Sequence, residues 1–259
     1  MNWEAASAER IGGRNEQQDR VGCFHSPDGT ACLLLLADGM GGHRGASLAS
    51  QTLLETARIS WDSCGGAPRD PKRFLEALCQ ESHRRINLQG RERGLDPRST
   101  VVALIAHDAG AFWVHVGDSR LYHFRGQELV ARTRDHSLVQ ILVEAGQVAE
   151  EDMATHPDQN KLLRSVGDEA PPETTHGHAA FRAEDRFLLC SDGFWEQIAP
   201  EEMAGVLAAR NLDESLSHLA DLAVRRGGPS SDNIAVAAVR ALVERGGSVS
   251  GRQRLSGLS

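Results

Sequence analysis

The chain has 259 residues and a mass of 28.1 kDa; 40% of them are hydrophobic and 25% charged, a balance that excludes wholesale disorder. Lys and Arg number 28 against 36 Asp and Glu, so the net charge is -8 at pH 7 and a global basic field for nucleic acid is excluded. No apolar run reaches the roughly 18 residues of a bilayer span, and Met1-Asn2-Trp3-Glu4 lacks the basic-then-apolar plan of a signal peptide, so no membrane insertion is expected and the location is read as cytoplasmic.

A first stretch ends at Gly22-Cys23-Phe24-His25 and turns through Ser26-Pro27-Asp28-Gly29. The apolar run Ala31 to Ala37 is too short for an ordinary helix and reads as a buried strand, stopping at Asp38-Gly39-Met40-Gly41-Gly42-His43. From Gly45 to Ile59 the spacing turns helical, with Ala46, Ala49, Leu53 and Ala57 on one stripe. Asp70-Pro71 reads as an N-cap and first helical residue, opening a second long helix to about Leu88. Thr100–His107, Ala111–Gly117, Arg120–Phe124 and Glu128–Ala131 are short strands between tight turns and predict one antiparallel meander. His136 to Ala145 is a short helix, and Gly146 to Asn160, polar and poor in apolar anchors, reads as a mobile surface segment. A strand, Arg186 to Cys190, ends at Ser191-Asp192-Gly193; helices follow over Pro200–Arg210 and Asp213–Arg226, and a last strand runs from Asp232 to Leu242.

Strands and helices come in blocks, which predicts an α+β class and a single domain over residues 5–243, with 244–259 a disordered tail. The five cysteines, Cys23, Cys32, Cys64, Cys79 and Cys190, form no CxxC pair and read as reduced thiols. His176 and His178 share a face if they lie in a strand, as two metal ligands do, but a solvent-facing pair is the simpler reading. Trp113, Phe194 and Trp195 read as core, and Arg225-Arg226 as an answer to a helix dipole.

The informative pattern is where the aspartates sit. Asp38, Asp118, Asp192 and Asp232 each lie at the end or start of a predicted strand, and three of them precede Gly or Ser. Carboxylates converging from several strand ends repel unless a cation neutralises them, and hard oxygen ligands suit Mg²⁺ or Mn²⁺. A single Asp-Gly is explained by a turn; the set of four is harder to explain that way.

Six stretches carry a resemblance: Arg14-Asn15-Glu16-Gln17-Gln18-Asp19, Asp38-Gly39-Met40-Gly41-Gly42-His43, Val116-Gly117-Asp118-Ser119-Arg120, Asp135-His136-Ser137, Ser191-Asp192-Gly193-Phe194-Trp195 and Ser231-Asp232-Asn233. Together, and in this order, they resemble the metal-dependent Ser/Thr protein phosphatases of type 2C, in their bacterial branch. The resemblance implies a four-layer α-β-β-α sandwich of two mostly antiparallel sheets flanked by helix pairs. It implies hydrolysis of phospho-Ser and phospho-Thr by attack of a metal-bridging water, with two tightly bound Mn²⁺ or Mg²⁺ ions and a third, weaker one. Asp38 would bridge the ions with the Gly39 carbonyl on one of them, Asp192 and Asp232 would hold the first ion, and Asp19 would support the site through a bound water. Asp118 would hold the third ion, Arg14 would grip the substrate phosphate, and Asn233 would orient a ligand or water. Phosphoproteins and a cognate Ser/Thr kinase are the implied partners.

The chain departs from the family's pattern at two positions. Gln18 stands where the family usually has Glu, removing one negative charge beside Asp19. Met40 stands where eukaryotic members have a histidine that is a candidate acid for the leaving group; His43 or a metal-bound water is the substitute. The competing functional readings are a phosphoprotein-binding module of the same fold without turnover, supported only by Gln18, and a metal-dependent nucleotide hydrolase, for which no base-binding motif is visible.

Overall fold

The computed structural model describes residues 2–242; the expected tail, 244–259, and the expected boundary at Val243 lie outside the described residues, as does the His43 side chain. In chain order the strands β1 (Asn2–Arg10), β2 (Asp19–His25) and β3 (Ala31–Met40) precede helices α1 (His43–Ser63) and α2 (Pro71–Arg93). Then come β4 (Arg98–Ser99), β5 (Val101–His107), β6 (Gly110–Val116), β7 (Arg120–Arg125), β8 (Glu128–Arg132) and α3 (Leu138–Glu144). β9 (Thr175–Ala179), β10 (Asp185–Cys190), α4 (Asp192–Trp195), α5 (Pro200–Leu207), α6 (Leu212–Gly227) and β11 (Ile234–Leu242) complete the described chain.

Four consecutive leucines in β3 require both faces of that strand to be covered, because side chains alternate with a period of two. Leu33 and Leu35 pack with Leu53 and Ala57 of α1 and Leu75 and Leu78 of α2. Leu34 and Leu36 point the other way and pack with Val102 and Leu104 of their own sheet and Phe187, Leu189, Ala237 and Val239 of the second. The second sheet repeats the plan: Leu188, Val236 and Ala238 face Leu207 of α5 and Leu212, Leu216 and Ala220 of α6. One sheet runs β1-β11-β10-β7-β8 and the other β2-β3-β5-β6-β9, with β4 paired to β3. Every ladder is antiparallel. The architecture is the expected α-β-β-α sandwich.

The helix signals hold at their starts. Asp70 caps α2 by accepting from Arg73 N at 3.0 Å with Pro71 in the first turn, and Ser137 caps α3 in the same way. Arg226, rather than simply facing the dipole of α6, donates to both carboxylate oxygens of Glu202 and to the Gln197 carbonyl, tying α6 to α5.

Two expectations need correction. The meander is split: β5 pairs with β6 and β7 with β8, but β6 and β7 belong to different sheets. The chain changes sheet at Gly117-Asp118-Ser119, where Gly117 takes φ 103°. Apolar alternation looks the same in either sheet, so the strand pattern carried no sign of the change. β1 runs from Asn2, its ladder with β11 spanning Asn2↔Leu242 to Arg10↔Ile234. Small residues at its inward positions Ala6 and Ala8 left little hydrophobic signal. Second, the segment 146–160 has an anchor after all: a 3₁₀ turn, Glu150–Thr155, buries Met153 to 3% exposure.

Candidate active site

The site is assembled from the same end of both sheets. Asp19 opens β2 directly opposite Asp38 of β3 in the first sheet. Asp192 follows β10 and Asp232 precedes β11, neighbouring strands of the second sheet joined at this end by Ser191 N donating to Ala235 O at 3.0 Å. Asp118 lies on the link where the chain crosses between the sheets. The backbone at Asp38 is held on both sides: its N–H donates to Thr100 Oγ1 at 3.0 Å, and its carbonyl accepts from Thr100 N and Ser99 Oγ. At Gly39 a Cβ would come within 2.2 Å of Ala46 O, so the start of α1 lies against this strand only because the position has no side chain.

Asp19, Asp38, Asp118 and Asp192 are each raised by burial and by a neighbouring aspartate. Burial, followed by the charges of Asp19, Asp192 and Asp118, drives the Asp38 carboxyl well above its usual range. Burial and then Asp192 and Asp135 do the same to Asp118. Asp19 is raised to about 7, chiefly by burial, with Asp192 and Asp232 adding repulsion and Ser191 opposing it. Asp192 is raised to about 6, by burial and then by Asp232. Glu196, one turn beyond Asp192 and invisible as a site residue in the sequence, rises to about 8 through burial and the same two aspartates.

The opposing charge within the chain is limited. Arg14 Nη2 donates to Asp232 Oδ2 at 2.6 Å, with the arginine side chain 54% exposed. Asn233, expected to orient a ligand or water, instead spends its amide on the backbone: Oδ1 accepts from Gln18 N and Nδ2 donates to Ile11 O, clamping the 11–18 loop over the site. Trp195, expected as core, is half-buried at the site. Its Nε1 donates to the Asp118 carbonyl at 3.1 Å, and the Arg120 guanidinium stacks 3.4 Å over its ring. Arg120 is paired through two bonds, 2.9 and 2.7 Å, to Asp135, and Met153 from the 150–155 turn closes over it with Sδ 3.9 Å from Nη2. Arg120 and Asp135 lay in two of the six motif stretches, but only the tertiary contact assigns them a task. His176 and His178 form no metal pair: His176 Nε2 meets Thr174 Oγ1 at 2.9 Å, and His178 stacks on Phe112.

The donor set fits divalent cations. Asp19 Oδ2 is buried with no hydrogen-bond partner, inside a group of carboxylates that raise one another's pKa. Such a group is stabilised by a hard cation with oxygen preference. Among the described residues no three His, Cys, Asp or Glu side chains stand together as a ready-made metal site.

This has a pH consequence. A carboxylate whose folded pKa is raised destabilises the fold when ionised; for Asp19 the penalty is absent below pH ~4 and complete only above about 7. Metal must displace the same protons. Apparent Mn²⁺ affinity is therefore expected to rise steadily from pH 5 to 8, with proton release on binding, read by calorimetry in buffers of different ionisation enthalpy. In metal-free protein the gain in Tm of Asp19→Asn over wild type should widen over the same interval; a constant gain would contradict the crowded-carboxylate account.

The family model described as protein phosphatase 2C matches residues 8–226. The chain belongs to the protein phosphatase 2C family. A putative protein phosphatase 2C-type of Streptococcus pyogenes is 33% identical over 229 residues, 87% of this chain and 92% of that one. The crystal structure of the Mycobacterium tuberculosis serine/threonine phosphatase PstP/Ppp superimposes with a TM-score of 0.80 at 32% identity, covering 94% of this chain and all of that one. The catalytic domain of PstP, solved in complex with two manganese ions, gives a TM-score of 0.79 at 31% identity over 93% of this chain and 99% of that one. This protein phosphatase 2C is accordingly a metal-dependent protein serine/threonine phosphatase, with a divalent cation as cofactor and phosphoproteins as substrates. Among the described residues no helix is long and apolar enough to cross a membrane.

Proposed function

We propose that this phosphatase hydrolyses phospho-Ser and phospho-Thr at the carboxylate cluster. Asp38, the Gly39 carbonyl, Asp192 and Asp232 hold two ions, Asp19 supports them, and Asp118 holds a third. The observation that carries this reading is the convergence of carboxyls from both sheets: Asp19, with its orphaned Oδ2, feels Asp38, Asp192 and Asp232, and Asp118 stands near enough to raise Asp38. The ions, Mn²⁺ or Mg²⁺, supply positive charge against the phosphoryl oxygens and lower the pKa of a water. The chain's own part is positional. Thr100 and Ser99 fix the backbone of Asp38, Asn233 fixes the loop carrying Arg14, and Arg14 offers a planar fork that matches two phosphoryl oxygens. A cognate Ser/Thr kinase and a cytoplasmic setting belong to the same proposal, as does one phosphatase domain spanning the residues expected for it.

Turnover of para-nitrophenyl phosphate, a phosphopeptide and a nucleotide, each with Mn²⁺ and with EDTA, tests it. Activity on the first two that vanishes with EDTA and returns with Mn²⁺ is expected. Full activity in stripped protein would end the metal reading, exclusive turnover of the nucleotide would move the enzyme to another class, and none on any of the three would favour the binding module.

Arg14 has a separable effect. Its cationic head competes for Asp232, so Arg14→Ala is expected to raise KM for phosphopeptide roughly tenfold while Mn²⁺ affinity holds or improves. Collapse of metal binding with KM unchanged would assign Arg14 to the metal site instead.

A further inference from the structure

Beside the carboxylate cluster, on the far side of the 14–19 loop, lies a cleft of about 570 Å³ whose walls include Arg20, Arg44 and Arg93. Gly45 of α1 lies against Asp96 and Pro97, the chain leaving α2, and Arg44 lines the cleft together with Arg93 in the last turn of that helix. Arg20, immediately after Asp19, supplies the third cation. None of the three forms an ion pair among the described residues; Arg20 donates only to neutral acceptors, Gln51 Oε1 and the carbonyls of Gln17 and Asp19. The carboxylate lining the cleft, Glu16, is bonded to Ser47. Three guanidiniums against one carboxylate is a local excess in a chain of net charge -8. Leu48 and Leu95, both half-buried, add an apolar strip.

The loop joins this cleft to the reacting centre. Its one side carries Arg14 on Asp232, and its other carries Glu16 on Ser47. The same short loop, residues 14–20, thus borders both the aspartates and the cleft. We propose that the cleft binds an acidic flank of the phosphoprotein substrate, so that phosphoresidues neighboured by Asp or Glu are preferred; this rests on the phosphatase reading above. The lining favours a peptide over other polyanions. No aromatic side chain lines it for base stacking, and the chain's overall negative charge disfavours an anionic membrane surface.

The test uses three phosphothreonine peptides, with neutral flanks, with acids on the N-terminal side and with acids on the C-terminal side, alongside para-nitrophenyl phosphate, all with Mn²⁺. Wild type is expected to favour one acidic peptide over the neutral one by roughly five- to twentyfold in kcat/KM, through KM, and to lose that preference in 0.5 M salt. Arg44→Ala/Arg93→Ala is expected to remove most of the preference and leave para-nitrophenyl phosphate turnover unchanged. Arg20 is left in place because it holds the carbonyl of Asp19. Equal kcat/KM for the three peptides in wild type, or a preference that survives the double substitution, overturns the inference. So does a double variant that loses retention on phosphatidylserine vesicles while its peptide ranking is intact. Failure of wild type to hydrolyse para-nitrophenyl phosphate at all would instead strike the phosphatase reading.

Discussion

Asp192→Asn is expected to lower phosphopeptide turnover by at least about a hundredfold while leaving the protein folded, and Asp38→Asn and Asp232→Asn should behave alike. Each substitution keeps the shape of the side chain and removes one charge from the oxygen set that meets the cation. The fold survives because the charge removed is one the metal-free protein holds at a cost: Asp192 and Asp38 are both raised by burial and by their neighbours. The metal-free Tm of the Asp192 and Asp38 variants at pH 8 should therefore stay level or rise, even as activity falls. Turnover at saturating Mn²⁺ and calorimetric melting of the same samples check both halves. A variant with near wild-type turnover would remove that residue from the site; one that melts far below wild type would show that its carboxylate stabilises the fold rather than straining it.

Asp135→Asn is expected to have the opposite profile, a large loss of stability. The Arg120–Asp135 pair is enclosed, with side chains 7% and 2% exposed, and satisfied through two short bonds. Neutralising the acid leaves a buried guanidinium without its counter-charge, which costs about 3–5 kcal/mol and should lower Tm by roughly 6–20 °C for a chain of this size. Replacing both partners by apolar residues, Arg120→Met with Asp135→Leu, should recover most of the loss. Chemical denaturation of the single and double variants reads it: a single variant within about 1 kcal/mol of wild type would mean that water reaches the pair. Because Arg120 stacks on Trp195, and Trp195 holds the Asp118 carbonyl, the recovered double variant should remain slower than wild type.

The family and the α+β sandwich were legible in the sequence because both are written in local patterns. Four leucines from 33 to 36 mark a strand covered on both faces, Asp70-Pro71 marks a helix start, and Asp38, Asp118, Asp192 and Asp232 announce themselves by standing where apolar strands stop. What tertiary structure alone decided is which strand ends meet. The sheet change at Gly117 places Asp118 between the sheets, but β6 and β7 alternate alike whichever sheet they join, so the sequence reads as one meander. β1, at the start of the chain, pairs with β11 near its end, and Asn233 reaches back to Ile11 and Gln18; no window of neighbouring residues contains such contacts. Glu196, Trp195, Arg120 and Asp135 took on roles for the same reason. The pKa of a carboxyl and the cost of a buried guanidinium depend on burial and on charges brought near by folding, and those distances are properties of the packed sandwich, not of residue order.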